Sequence, residues 1–128
     1  MKLRIKGNSI RLRLTKSEIA QFSEAGLVKE TTEVGITPDQ HLTYALSISE
    51  KTETPHAEME NNRLLIILPK AQAEMWVQTG QVGIRAEQIL SDEKTLQILV
   101  EKDFACLEER TGEDESDTFP HPNVGQPC

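Results

Sequence analysis

Shifted by 54 residues, the chain lies over itself. Asn8 falls on Asn62, Leu14 on Leu68, Lys16 on Lys70, Gly26 on Gly80, Val28 on Val82, Glu33 on Glu87 and Leu42 on Leu96. The pattern around these identities constrains the fold more than the identities do. Ile10, Leu12 and Leu14 sit over Leu64, Ile66 and Leu68, Phe22 over Trp76, and Tyr44, Ala45 and Leu46 over Ile98, Leu99 and Val100. A repeat of this period sets the architecture, because each copy is one supersecondary unit whose apolar face needs the other to cover it. The expected units are residues 1–50 and 55–104, followed by a tail over 105–128.

Each unit reads as ββαββ. Leu3 and Ile5 alternate with charge, the mark of a half-buried strand. Gly7-Asn8-Ser9 is turn chemistry, since Gly and Asn tolerate positive φ. Ile10, Leu12 and Leu14 then alternate with Arg11 and Arg13. Thr15, with Glu18 three residues on, forms a capping box for a helix whose core stripe is Ile19 and Phe22 and whose stop is Gly26. Strands near 27–34 and 41–49 complete the unit. In the second unit Pro69 stands at the first turn of a helix, where its missing N–H costs nothing. That helix carries Met75, Trp76 and Val77 and ends at Gly80, and strands near 81–87 and 95–101 follow. The fold class expected is α+β: two tandem ββαββ repeats forming one pseudo-symmetric, antiparallel, barrel-like domain with two helices and an acidic C-terminal tail.

Charge is distributed unevenly. Residues 1–54 carry eight Lys/Arg and seven Asp/Glu, residues 55–104 five and eight, and residues 105–128 one and six. The first sixteen residues hold Lys2, Arg4, Lys6, Arg11, Arg13 and Lys16 and no acid. A basic opening and an acidic close either separate two partner surfaces or simply solvate exposed faces, and the sequence leaves both readings open. No apolar h-region follows Met1-Lys2-Leu3-Arg4-Ile5, and the longest apolar run, Leu64 to Leu68, is too short to span a bilayer. A cytoplasmic protein without membrane contact is therefore expected, as a monomer or weak homodimer. Its two cysteines, Cys106 and Cys128, read as reduced thiols rather than a disulfide framework.

At Ile5-Lys6-Gly7-Asn8-Ser9, followed by alternating Leu and Arg and a capped helix, the chain resembles the AbrB/MazE swapped-hairpin family of bacterial transition-state regulators and antitoxins. Gly7-Asn8-Ser9, Arg13 and Lys16 match that family's pattern in the first unit, and Thr15 stands where the family has proline. Pro69-Lys70 and the Thr79-Gly80-Gln81-Val82 turn look similar in the second unit, whereas Gly7 becomes Asn61 and Ser9 becomes Arg63. In the family two chains interleave their hairpins. Two units in one chain imply the same arrangement as a pseudo-dimer. The resemblance implies a non-enzymatic regulatory or binding protein, with DNA contact through Lys2, Arg4, Lys6, Arg11 and Arg13. Strand alternation agrees, setting Arg11 and Arg13 opposite the apolar face, where clustered cations meet phosphate.

The second unit departs from this pattern. His56, Glu58 and Glu60 replace Lys2, Arg4 and Lys6, and Leu65 and Ile67 replace Arg11 and Arg13. A strand apolar on both faces invites a cover, since exposed apolar patches mark interaction sites. Leu65 and Ile67 are therefore candidate partner contacts, together with Phe104, Leu107 and Phe119. The tail is acidic, proline-containing and poor in apolar residues, so it is expected to be extended or disordered. It reads as a solubilising tail, as a ligand for a basic protein partner with Leu107 and Phe119 as anchors and no DNA binding, or as a fold-back onto Lys2, Arg4, Arg11 and Arg13 that competes with nucleic acid.

Catalytic and metal chemistry find little support. Asp103, Cys106, His121 and Cys128 lack the close ligand pairs of a zinc knuckle, and Glu113, Asp114, Glu115 and Asp117 lack the glycine and terminal glutamate of a calcium loop. Cys106 with His56 has no supporting motif, His41, His56 and His121 read as surface imidazoles, and no glycine loop cradles phosphate. No catalytic residue, metal or cofactor is expected. A rival fold would turn Lys2, Arg4, Lys6, Arg11 and Arg13 inward to line a polyanion-binding β-tunnel.

Overall fold

Residues 1–104 are described by the structure, a computed structural model. Ten elements follow in order: β1 (Lys2–Lys6), β2 (Ser9–Leu14), α1 (Lys16–Ala25), β3 (Leu27–Glu33), β4 (His41–Ser49), β5 (His56–Glu60), β6 (Arg63–Pro69), α2 (Lys70–Gln78), β7 (Gly83–Ser91) and β8 (Lys94–Lys102). The β1–β2 turn has positive φ at Gly7 alone, and the β5–β6 turn at both Asn61 and Asn62. These are the φ signs of two-residue II′ and I′ hairpin turns. Thr15 and Glu18 close the capping box at the start of α1, and Gly26, at φ 73°, donates its N–H to the Phe22 carbonyl and ends the helix.

The strands form two four-stranded sheets. Sheet A has the order β1-β2-β8-β7 and sheet B the order β3-β4-β6-β5. Each is a pair of antiparallel hairpins joined by one central parallel pairing, β2 with β8 and β4 with β6. The expected all-antiparallel barrel is thus corrected to two mixed sheets that do not close on each other. At one seam the Gln88 side-chain amide replaces a backbone ladder. Ala57 N–H donates to its Oε1 at 2.7 Å, and its Nε2 donates to the Ala57 carbonyl at 3.1 Å. Near Met1, the Tyr44 hydroxyl donates to Glu30 at 2.8 Å and lies 3.3 Å from the Met1 carbonyl. Side chains therefore bridge edges at which the two sheets form no backbone ladder.

Inward-facing positions of both sheets meet in one core. Ile10, Leu12, Leu14, Ile84, Ile98 and Val100 from sheet A pack with Val28, Leu46, Leu64, Ile66 and Leu68 from sheet B. The helices add Phe22 and Trp76, both fully buried, with ring centroids 6.1 Å apart in an edge-to-face contact. The Trp76 indole N–H donates to the Val82 carbonyl at 3.1 Å, so its polar edge is satisfied. No polar or charged residue is buried among the described residues. The tunnel expectation fails here: the space between the sheets holds packed aliphatic side chains, and the basic residues alternate to the other face.

Strand registers coincide at the 54-residue offset for most pairs. Leu3 faces Leu12 as Ala57 faces Ile66, and Ile10 faces Ile98 as Leu64 faces Tyr44. Asn8 and Asn62 play matching parts. Asn8 Nδ2 donates to the Thr95 carbonyl at 2.9 Å and Asn62 Nδ2 to the Asp39 carbonyl at 2.5 Å, while each Asn carbonyl accepts a neighbouring hairpin's N–H, from Gln97 and Thr43. The offset changes in β7. Val28 pairs Leu46, but Ile84, not Val82, pairs Val100. The overlays of Gly26 on Gly80, Val28 on Val82 and Glu33 on Glu87 are two residues out of step in space, because 79–82 must loop back to bring the Val82 carbonyl to the Trp76 indole.

Candidate functional site

Alternation gives sheet A an outward face of three cross-strand rows. Lys2, Arg13, Glu101 and Gly83 form the first, Arg4, Arg11, Leu99 and Arg85 the second, and Lys6, Ser9, Gln97 and Glu87 the third. All five sequence-predicted cations, Lys2, Arg4, Lys6, Arg11 and Arg13, lie on this one face, and Arg85 joins them from a strand distant in sequence. Like charges this close repel, and Glu101 offsets that repulsion where the two guanidiniums of β2 are half-buried. Arg13 Nε donates to Glu101 Oε1 at 2.5 Å, and Arg11 Nε lies 3.7 Å from the same oxygen. Lys2 pairs with Asp103 at 3.1 Å. Arg4, Lys6 and Arg85 are exposed and carry no ion pair among the described residues. With Arg11 and Leu99 they line a concave cleft of about 620 Å³.

Sheet B presents the corresponding face with different chemistry. Its rows are Glu60, Arg63, Thr43 and Thr31; Glu58, Leu65, Ala45 and Lys29; and His56, Ile67, Ser47 and Leu27. Two cations stand against two carboxylates there, around a cleft of about 410 Å³. Leu65 is half-buried at the centre of this face, and Ile67, only 9% exposed, is covered by its neighbours and offers little surface to a partner. Phe104 is 62% exposed. Leu107 and Phe119 lie outside the described residues, as do Cys106, His121, Cys128 and the carboxylates from Glu113 to Asp117.

A second charged cluster gathers around Met1. Its ammonium group is partly buried and ion-paired to Glu18 and to Glu30, the latter at 2.9 Å. Burial works against that charge, yet the hydrogen bonds and negative charges of the two glutamates outweigh it and hold the amine above its usual pKa. Burial likewise opposes the Glu18 carboxylate, but the ammonium and the Thr15 hydrogen bonds win and its pKa falls. The Tyr44 hydroxyl is pushed up, first by burial and then by its bond to Glu30.

Arg85 was not legible in the sequence. Alternation with Ile84 and Ala86 shows that it points away from the core, but nothing local shows that β7 belongs to the sheet that carries the basic strands. The histidines take local partners: His41 Nδ1 lies 2.6 Å from the Pro38 carbonyl and His56 Nδ1 3.2 Å from the Thr52 hydroxyl. Among the described residues no three His, Cys, Asp or Glu side chains are grouped to hold a metal ion, and no helix is long and apolar enough to cross a membrane.

A model described as a family of unknown function, DUF7009, matches residues 1–123. No curated protein and no solved structure matches.

Proposed function

The chain belongs to this family of unknown function, and we propose that it is a non-enzymatic regulatory protein that binds nucleic acid through the outward face of sheet A. The observation that carries the reading is the segregation of charge. Six cations and two carboxylates occupy the three rows of sheet A, whereas the same positions of sheet B are balanced. Clustered Lys and Arg on one face neutralise phosphates and release their counterions, a sequence-independent source of affinity. The outward positions of sheet A hold no aromatic side chain on which bases could stack. That favours a duplex backbone over single strands.

Topology supports the swapped-hairpin part of the reading. The hairpin β1–β2 joins β7–β8, and β3–β4 joins β5–β6, so each sheet takes one hairpin from each half of the chain. With the coincident registers and the paired roles of Asn8 and Asn62, this fits a tandem duplication that builds in one chain what two chains build in the AbrB/MazE family. Such a pseudo-dimer has kept one basic face and lost the other, which makes it a one-sided reader. A cytoplasmic, bacterial setting belongs to the same reading.

The test is binding of mixed-sequence duplex DNA at about 50 and 200 mM salt. The variants are Arg4→Glu with Arg85→Glu on sheet A, and Lys29→Glu with Arg63→Glu on sheet B. Affinity should fall with a log–log salt slope of roughly −4, as for four to five phosphate contacts. The sheet A variant should lose binding and the sheet B variant keep it. Equal losses in both, or no loss in either, would reject this face as the interface.

A further inference from the structure

We propose that the outward face of sheet B is a homodimer interface. A second copy of this chain packs on it face to face, about a two-fold axis that runs along the strands between β4 and β6. The inference does not rest on nucleic-acid binding by sheet A.

The middle row of that face carries the argument. Across the sheet it reads Glu58 on β5, Leu65 on β6, Ala45 on β4 and Lys29 on β3. Acid and base thus stand at opposite edges, about 14 Å apart, with a large and a small apolar residue between them. A two-fold axis parallel to the strands exchanges the two edges. It sets each Glu58 against Lys29 of the second copy, and each Leu65 against Ala45 of the second copy. Shape agrees with charge. Ala45 is buried and lines the cleft of about 410 Å³, and the half-buried Leu65 forms part of the wall beside it. Each Leu65 therefore meets a hollow, as side chains interdigitate between aligned sheets about 10 Å apart. The other rows bring no like charges together. In one, Glu60 falls over Thr31 and Arg63 over Thr43; in the other, His56 falls over Leu27 and Ile67 over Ser47. An axis across the strands would instead stack Glu58 on Glu58 and Lys29 on Lys29, and like charges in contact oppose association. Both ends of the row are accessible. Lys29 is exposed without an ion pair among the described residues, and the exposed Glu58 has His56 Nε2 3.8 Å away. Three rows over four strands make a small patch, at the low end of specific interfaces, so the dimer is reversible. Because the outward faces of sheets A and B lie on opposite sides of the shared core, the dimer leaves both basic faces open.

Sedimentation of the full chain tests this. From about 1 μM to about 1 mM the protein should pass from monomer to dimer. Lys29→Glu and Glu58→Lys should each weaken association at least about tenfold, since either dimer would hold two like-charge contacts. Both substitutions are at exposed positions, and circular dichroism should match the wild type. Mixed in equal amounts, the two variants should associate with each other as strongly as the wild type does with itself, because both contacts then join opposite charges. A wild type that stays monomeric throughout, single variants that associate as the wild type does, or a mixture that does not recover, overturns the inference. None of these readouts involves DNA, so their failure leaves the reading of sheet A standing, and a failure of DNA binding leaves the dimer standing.

Discussion

Glu18 holds two tasks at one carboxylate. It accepts the Thr15 N–H in the capping box and pairs with the partly buried Met1 ammonium. The two can be separated, because Gln serves the box as well as Glu does but carries no charge. The sign of the linkage follows from the shifts. The Glu18 pKa is lowered from 4.5, so its contribution is present above 4.5 and is lost as pH falls through the folded value. That of Met1 is raised from 8.0, so its contribution is complete below 8.0 and is lost as pH rises through the folded value. Thermal unfolding should show a plateau between these limits, with a fall on each side. Glu18→Gln should flatten the acid fall and weaken the alkaline one, with α1 intact by circular dichroism. An unchanged profile would show that the ammonium gains nothing from its partner.

Among the elements, the two Asn turns offer the sharpest comparison. Asn8 and Asn62 each tie a hairpin tip to the next hairpin through a side-chain bond, and of the two only Asn62 has a left-handed backbone, at φ 61°. Replacing Asn8 by Ala removes a hydrogen bond worth about 1 kcal/mol. Replacing Asn62 by Ala removes the same bond and adds about 1–2 kcal/mol of backbone strain. Urea unfolding should rank Asn62→Ala as the more damaging, and equal losses would refute the strain argument. Most elements are legible in the sequence itself. The capping box, the Gly26 stop and the alternation in β2 are local chemistry, and each forms where its residues stand. The start of β7 is the exception. The 54-residue overlay sets it two residues early, because an overlay assumes equal connections while the Trp76 indole draws 79–82 into a longer one.

Across the whole molecule, stability depends on two sheets that share a core without closing into a ring. Gln88 is the link at one seam, where its amide answers both backbone groups of Ala57. Gln88→Ala should cost about 1–2 kcal/mol, since a half-buried N–H and carbonyl lose their partners. Amide exchange should quicken in β5 while β2 and β8, at the centre of sheet A, stay protected. Equal quickening in all strands would mean that the seam is no separate unit. The same scale decides the candidate site. Net charge over the chain is −7, yet one sheet face is basic, because alternation and strand order gather cations that the sequence scatters from Lys2 to Arg85.

Period-two alternation fixed which side chains of each strand face the core. It placed Arg11 and Arg13 opposite Ile10, Leu12 and Leu14 without any knowledge of neighbours, because successive side chains of an extended backbone must point to opposite sides. Strand partnership has no such local rule. That β2 lies parallel to β8, that Arg85 completes the row of Arg4 and Arg11, and that Gln88 reaches Ala57 were decided only when the core brought the two halves of the chain together. These pairings depend on how apolar faces from distant segments fit, and no window along the chain contains both partners.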